Sequence, residues 1–297
     1  MSALLLLSVC LLLGVLMRRV GNPLVTLATS LNWWVVQIAL PAMVLELIPR
    51  LHLDPNLWYL VISQWLVFLG AFLLCRFIGS RLGWSSSRIG ALTLVCGLGN
   101  TSFMGYPLLE ALRGQEQLAL GVVADQLGCF VMLSLGGVMV GVIYAGQAAT
   151  PSAVAKRVLL FPAFVCLLIG LLVGQLVGVP EQFESVLHRI AQSLAPLALF
   201  SVGLRLKLQL ARHQWLPVGV ALGWKMALAP VVMWGLGTAF GVSGAILSVA
   251  VLQAAMAPMI SAAILADQFQ LEPDLANAVL GIGILLSLVT VPLWSMA

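Results

Sequence analysis

The chain has 297 residues, of which 62% are hydrophobic and only 8% charged, and its formal net charge is +4. A water-soluble domain carries about 25% charged residues and must present its exterior to water, so this composition excludes a soluble fold. It points to a bilayer, where each spanning helix takes about 20 mostly apolar residues, and the basic residues beside apolar runs are explained by membrane topology, not by nucleic acid.

Ten apolar segments follow one another, at 2–17, 25–49, 57–78, 87–113, 117–145, 157–178, 183–209, 214–240, 243–269 and 272–296. Each must be helical, because an apolar run in lipid has to satisfy its own backbone, and the short alternating strands of a membrane barrel are absent. The first segment is followed by Arg18 and Arg19. A secretory signal carries its positive charge before the apolar run, so a retained first span is expected. The odd-numbered connections hold ten basic residues (Arg18, Arg19, Arg76, Arg81, Arg88, Lys156, Arg157, Arg205, Lys207 and Arg212), and the even-numbered ones hold three (Arg50, Arg113 and Arg189). This places the odd connections in the cytoplasm and both termini outside, in the cell inner membrane.

The two halves echo each other. Ala39-Leu40-Pro41-Ala42-Met43 in the second segment matches Leu194-Ala195-Pro196-Leu197-Ala198 in the seventh, and each half has a proline-interrupted fourth member. Five spans is an odd number, so the second half runs opposite to the first, as in the inverted repeats of secondary carriers. The expected organisation is a first repeat at 1–145, a cytoplasmic linker at 146–156 and a second repeat at 157–297.

The fourth segment contains Gly97-Leu98-Gly99-Asn100-Thr101-Ser102-Phe103-Met104-Gly105-Tyr106-Pro107. Glycine costs a helix interior about 1 kcal/mol and proline about 3, and Pro107 also removes a backbone donor. The helix is therefore expected to open before Pro107. Freed backbone at membrane depth must line a cavity or meet protein. Two readings stand: a broken helix at a midplane binding site, or a kinked helix with polar contacts to its neighbours. The ninth segment holds the partner stretch Gln253-Ala254-Ala255-Met256-Ala257-Pro258-Met259-Ile260-Ser261, with Pro258 as breaker. Two broken helices crossing at the midplane present half-helix N-termini, whose bare N–H groups suit an anion, although neighbouring C-termini partly cancel this.

Asp125 and Lys225 are the ionisable residues deep in spans. Helical rise puts Asp125 roughly 12 Å from the outer end of its span and Lys225 roughly 16 Å from the inner end of its own, which nearly coincide in a core about 30 Å thick. The two are expected to face one polar interior, where they can pair and where one can serve as coupling or counter-charge. A static ion pair, or a snorkelling Lys225, is the structural alternative. Glu46, near the outer end of its span, reads as a wetted end charge, and His52, His188 and His213 as solvated loop residues. Trp33, Trp34, Trp58, Trp215 and Trp294 lie near segment ends, as in an interfacial belt, whereas Trp224 sits deeper, for packing or for stacking near a ligand. The five cysteines lie inside apolar runs without paired spacing, so neither a disulfide framework nor a zinc site is indicated, and no other metal spacing is visible.

Asn100-Thr101-Ser102-Phe103-Met104-Gly105-Tyr106-Pro107-Leu108-Leu109 followed by Gly114 resembles the fourth-span motif of the auxin efflux carrier family. Gln253-Ala254-Ala255-Met256, Glu272-Pro273 and Val291-Pro292 resemble its last two spans, and the short central loop resembles its bacterial members. The resemblance implies an all-α membrane fold similar to bile-acid symporters and sodium–proton antiporters. Segments 1, 2, 6 and 7 would form a scaffold, and segments 3–5 and 8–10 a moving transport domain with crossed fourth and ninth helices. It also implies a small organic anion as substrate, auxin-like in plant members and malonate-like in bacterial ones. Gly99 stands where plant members carry a crossover proline, the ninth-span proline is displaced by one, and Ser261 falls where bacterial relatives have asparagine.

The expected function is a secondary carrier working by alternating access, with substrate near Asn100, Thr101, Ser102, Gln253 and Ser261, and Gly99, Pro107 and Pro258 as the helix breakers. No Walker motif is present to drive it with ATP. Carboxylates are scarce around the crossover, so proton coupling or uniport is expected over sodium coupling, with a sodium-coupled bile-acid-type symporter as the alternative. No cofactor is expected, and a homodimer is compatible with the chain. No catalytic constellation at helical spacing supports an intramembrane enzyme. A channel stays open until currents are measured, and no soluble signalling segment supports a sensor.

Overall fold

The computed structural model describes residues 2–18, 24–51, 54–146, 152, 156, 159–176, 180–205 and 214–296. Arg19, Arg157, Lys207, Arg212, His52, His213 and most of the expected linker lie outside the described residues. The chain is all-helical, and among the described residues the only β-type pairing is an isolated antiparallel bridge between Gly99 and Pro258. Among the described residues, five helices are long and apolar enough to cross a membrane: Thr26–Arg50, Pro55–Leu82, Gln115–Ala145, Trp215–Ala239 and Pro273–Trp294. Together with the outward-facing Leu5, Leu12, Phe77, Leu172 and Val289, they make a multi-pass membrane protein.

The helices are α1 (Ser2–Met17), α2 (Leu24–Trp34), α3 (Leu40–Leu47), α4 (Trp58–Leu82), α5 (Ser86–Gly97), α6 (Gly105–Arg113), α7 (Leu118–Val123), α8 (Phe130–Ala145), α9 (Pro162–Leu176), α10 (Glu181–Ala191), α11 (Leu194–Arg205), α12 (Trp215–Gly223), α13 (Ala229–Ala239), α14 (Gly244–Ala254), α15 (Ile260–Gln268) and α16 (Pro273–Trp294). Three π turns, Val35–Ala39, Ala124–Cys129 and Trp224–Leu228, join α2 to α3, α7 to α8 and α12 to α13. Two of them have a local cause. A proline ring clashes with the carbonyl four residues back and offers it no N–H, and widening the preceding turn relieves this. Pro41 follows the first π turn and Pro230 the third. Met226 O, left without its donor by Pro230, accepts from Trp294 Nε1 at 2.8 Å.

Three expected segments are not single rods. The fourth is split between α5 and α6, and the ninth between α14 and α15. The seventh breaks at Gln192–Ser193, four residues before Pro196, whose ring cannot follow a straight helix there.

The chain divides into two compact units. Unit 1 comprises Met1–Asp54, Ser102–Val122 and Leu159–Leu206. In it α11 packs on α1 and α2, while α9 and α10 pack on α3. The α1–α11 contact is backbone on backbone: a Cβ on Gly14 would stand 2.3 Å from Phe200 O, and one on Gly203 2.3 Å from Leu11 O. Small residues permit such an approach in lipid, where association depends on close packing. Unit 2 comprises Pro55–Thr101, Val123–Val158 and Lys207–Ala297. There α5 runs among α4, α8, α15 and α16, and nearly all of its last two turns are buried.

Candidate functional site

The backbone explains the interruption in unit 2. Ser85 caps α5 by accepting from the Arg88 N–H at 3.1 Å, and the helix runs until Leu98 turns extended with φ −107° and ψ 123°. The partner helix α14 ends at Ala254, and α15 begins at Ile260. Between them the two extended stretches cross antiparallel. The Asn100 N–H donates to Ala257 O at 2.7 Å, and the Met259 N–H donates to Leu98 O at 3.0 Å. Gly99 and Pro258 are the pair between those bonds, where neither residue's N–H is called on. A proline is therefore tolerated at 258 without losing a ladder bond. Pro258 lies against α16 so closely that a Cβ on Gly283 would stand 2.4 Å from its Cδ.

Side chains converge on this crossing. Gly99 leaves room for the Lys225 ammonium: a Cβ at position 99 would stand 2.9 Å from Lys225 Nζ. The Cys129 thiol donates to Gly99 O at 3.2 Å, and Gln253 Nε2 donates to Thr101 O at 3.4 Å. The Thr101 hydroxyl donates to Asp125 Oδ1, and Gln126 Nε2 donates to Asp125 Oδ2 at 2.7 Å. Asp125 and Lys225 each sit on a π turn, where the widened helix carries them among α4, α5 and the crossing. Lys225, Gln253, Asn100, Thr101, Asp125 and Gln126 are all buried to 1% exposure or less.

Satisfaction is uneven within this cluster. Lys225 Nζ, Asn100 Nδ2, Gln126 Oε1 and Gln253 Oε1 have no hydrogen-bond partner. Direct pairing of Asp125 with Lys225 was one of the expected arrangements, and the structure does not form it. The carboxylate is taken by Thr101 and Gln126, while the ammonium lies against the bare backbone at Gly99. Full burial also excludes a snorkelling Lys225. The C-termini of α5 and α14 flank the crossing, and their partial negative charge partly compensates the ammonium. Trp224 turns away from the polar cluster. Its Nε1 donates to Val67 O at 3.2 Å and its ring lies on Gly70 of α4, which is a packing role.

The remaining expected residues lie off this cluster. Ser102 begins the stretch that belongs to unit 1, and Ser261 sits half-buried in the first turn of α15. Pro107 falls in the first turn of α6, after the interruption, where its missing N–H costs nothing.

Unit 1 holds a group that the sequence left as end charges. Glu46 is 7% exposed, which corrects its expected wetted position. It accepts from Gln115 Nε2 at 3.3 Å and lies 2.7 Å from His188 Nδ1. His188 is a helical residue of α10, not a solvated loop residue, and its Nε2 lies 2.8 Å from Gln192 Nε2. Beside it, Arg50 pairs with Glu184. A cavity of about 350 Å³ is lined by Glu46, Gln115, His188 and Gln192, by Glu110 and by apolar side chains from α1, α3, α6 and α11. The signal available in the sequence was Glu184, His188 and Gln192 at four-residue spacing, on one face of α10 and its C-terminus, but partners 142 residues apart could not be read from it.

Comparison with known proteins agrees with these features. The family described as membrane transport protein matches residues 26–295. An uncharacterized transporter of Methanothermobacter thermautotrophicus is 28% identical over 294 residues, covering 97% of this chain and 94% of the relative. An uncharacterized transporter of Methanocaldococcus jannaschii is 25% identical over 235 residues, covering 75% of each. With the match running through both interrupted helices and nearly the whole chain, this protein belongs to the membrane transport protein family, that of the auxin efflux carriers.

Proposed function

We propose that the protein is a secondary carrier for a small organic anion, which it binds at the crossing in unit 2 and moves by alternating access. The observation that carries this reading is a pair of buried donors without partners, Lys225 Nζ and Asn100 Nδ2, at a crossing of bare backbone. An unpaired ammonium away from water is costly, and a carboxylate supplies both the countercharge and acceptors for the two donors. Thr101 and Gln253 would complete the substrate's polar surroundings, and Asp125, held by Thr101, would answer to substrate binding through that hydroxyl.

The architecture that goes with this function is ten spans in two inverted repeats, a scaffold of segments 1, 2, 6 and 7 and a transport domain of segments 3–5 and 8–10. The two compact units support that division, with residues 102–122 grouped on the scaffold side. Placement in the cell inner membrane with both termini outside rests on the charge asymmetry of the connections. A fixed ammonium at the crossing does the electrostatic work that a bound sodium ion would do, which favours proton-linked or uniport movement over sodium coupling.

The test is flux of radiolabelled malonate, other small carboxylates and indole-type acids into liposomes containing the purified protein. Saturable carboxylate flux that is lost in Lys225→Met, reduced in Asn100→Ala and indifferent to sodium is expected. Carboxylate flux no greater than in empty liposomes, or flux untouched by Lys225→Met, overturns the reading.

A further inference from the structure

The crossing in unit 2 leaves acceptors as well as donors without partners, and the two kinds together describe a solute more closely than charge does. Lys225 Nζ and Asn100 Nδ2 are the donors, and Gln253 Oε1 and Gln126 Oε1 are the acceptors. All four side chains are buried to 1% exposure or less. The two glutamine oxygens are identified by chemistry. Gln253 Nε2 donates to Thr101 O at 3.4 Å, and Gln126 Nε2 donates to Asp125 Oδ2 at 2.7 Å. Turning either amide over would set oxygen against oxygen, so in each residue it is the Oε1 end that stays unpaired. The hydroxyl and thiol protons at the crossing are already committed: Thr101 donates to Asp125, and Cys129 donates to Gly99 O at 3.2 Å. The donor that these oxygens lack therefore has to arrive with what binds.

An unpaired buried acceptor is costly, as an unpaired donor is. A plain carboxylate brings acceptors only, so it answers Lys225 and Asn100 and leaves Gln253 Oε1 bare. A second carboxylate is worse. Among the described residues that meet at the crossing, Lys225 carries the one positive charge, and Asp125 already places a carboxylate there. The spacing is short. Lys225 Nζ reaches the backbone at Gly99, and the Gln253 amide reaches Thr101, two residues along. The missing donor therefore belongs beside the carboxylate, as a hydroxyl on the adjacent carbon is. We infer that the solute is a 2-hydroxy monocarboxylate, whose carboxylate meets Lys225 and Asn100 and whose hydroxyl donates to Gln253 Oε1. This inference rests on the carrier reading and narrows its substrate class.

Lactate and propionate share one body and differ by a hydroxyl, and 3-phenyllactate and 3-phenylpropionate do the same on a larger body. The O-methyl ethers of the two hydroxy acids keep the oxygen and lose its proton. Isothermal titration of these acids, their ethers and malonate into the full-length protein in detergent reads the difference. Whichever pair binds, its hydroxy acid should bind about tenfold or more tighter than its deoxy partner, its ether and malonate, because an analogue without the donor leaves a buried acceptor unpaired. Gln253→Met removes that acceptor and should bring the hydroxy acid down to the affinity of its deoxy partner, whose own affinity is unchanged. Lys225→Met should abolish binding of both. The comparison of hydroxy acid with ether uses the unaltered protein, so it carries the test even if Gln253→Met does not fold. Hydroxy acid, deoxy acid and ether bound equally, and all lost in Lys225→Met, overturn the inference and leave the carrier reading standing, as does malonate bound more tightly than the hydroxy acids. Absence of binding by every acid overturns the carrier reading and this inference with it.

Discussion

The crossing in unit 2 and the cavity in unit 1 both bury ionisable groups in a molecule with few of them, and they match those charges to different degrees. At the crossing the carboxylate is satisfied and the cation is not: Asp125 has Thr101 and Gln126, while Lys225 has no hydrogen bond. In the cavity the carboxylate of Glu46 is also matched, by Gln115 Nε2 at 3.3 Å and His188 Nδ1 at 2.7 Å. The difference teaches that depth in the membrane does not by itself mark the working residue. What marks it is which sign is left without a partner, because a buried charge that the protein has not matched must be matched by something that binds.

The largest effect expected on this comparison comes from Lys225→Met. It removes the unmatched charge at the crossing, so carboxylate flux should fall by about a hundredfold or more while stability rises by about 1–3 kcal/mol, the usual sign when a poorly paired buried charge gives way to a packed apolar chain. Flux and thermal unfolding of one purified sample check both halves, and a destabilised Lys225→Met would mean that the ammonium has a partner after all. Next come two glycines, one in each unit. Gly283→Ala drives a Cβ to 2.4 Å from the Pro258 ring, and Gly14→Ala drives one to 2.3 Å from the Phe200 carbonyl. Each should cost about 2–3 kcal/mol by overpacking. Only Gly283→Ala should also weaken carboxylate binding, and equal effects of the two on binding would break the distinction between the regions. Thr101→Val takes one donor from the buried Asp125 carboxylate and should cost about 1–3 kcal/mol, measured by denaturant or thermal unfolding. The smallest effect is expected at the polar edge of unit 2, where Arg88 Nε and the Ser85 hydroxyl each donate to Glu272 at 3.0 Å. Arg88 and Glu272 are both partly solvated, so Arg88→Ala should cost about 1 kcal/mol or less.

Much of the framework was legible in particular residues. Pro41, Pro196 and Pro230 deform their own helices through a clash that acts four residues back, whatever surrounds them. The interruptions at 98–104 and 255–259 fall where glycine, proline and short polar residues make helix costly. Trp33, Trp58 and Trp215 are exposed as expected of segment ends. The site was legible only as a set of residues. That Gly99 would face Pro258, and that Thr101 would reach Asp125 before Lys225 could, depends on how four separate elements pack. Glu46 and His188 were misplaced for the same reason. Each looks like an end charge in its own segment, and their contact exists only because α10 packs on α3.

By itself the sequence determined that the chain must live in lipid, that it must be helical there, and where the helices must fail. Those are costs borne within a few residues, through transfer of side chains and loss of local backbone bonds. Only the tertiary structure decided which buried charges are matched, because a hydrogen bond or a countercharge acts over a few ångströms and its partner can come from anywhere in the chain. Thus Lys225 was conspicuous from its surroundings in the sequence, but its lack of a partner was decided when Asp125 found Thr101 and Gln126 instead.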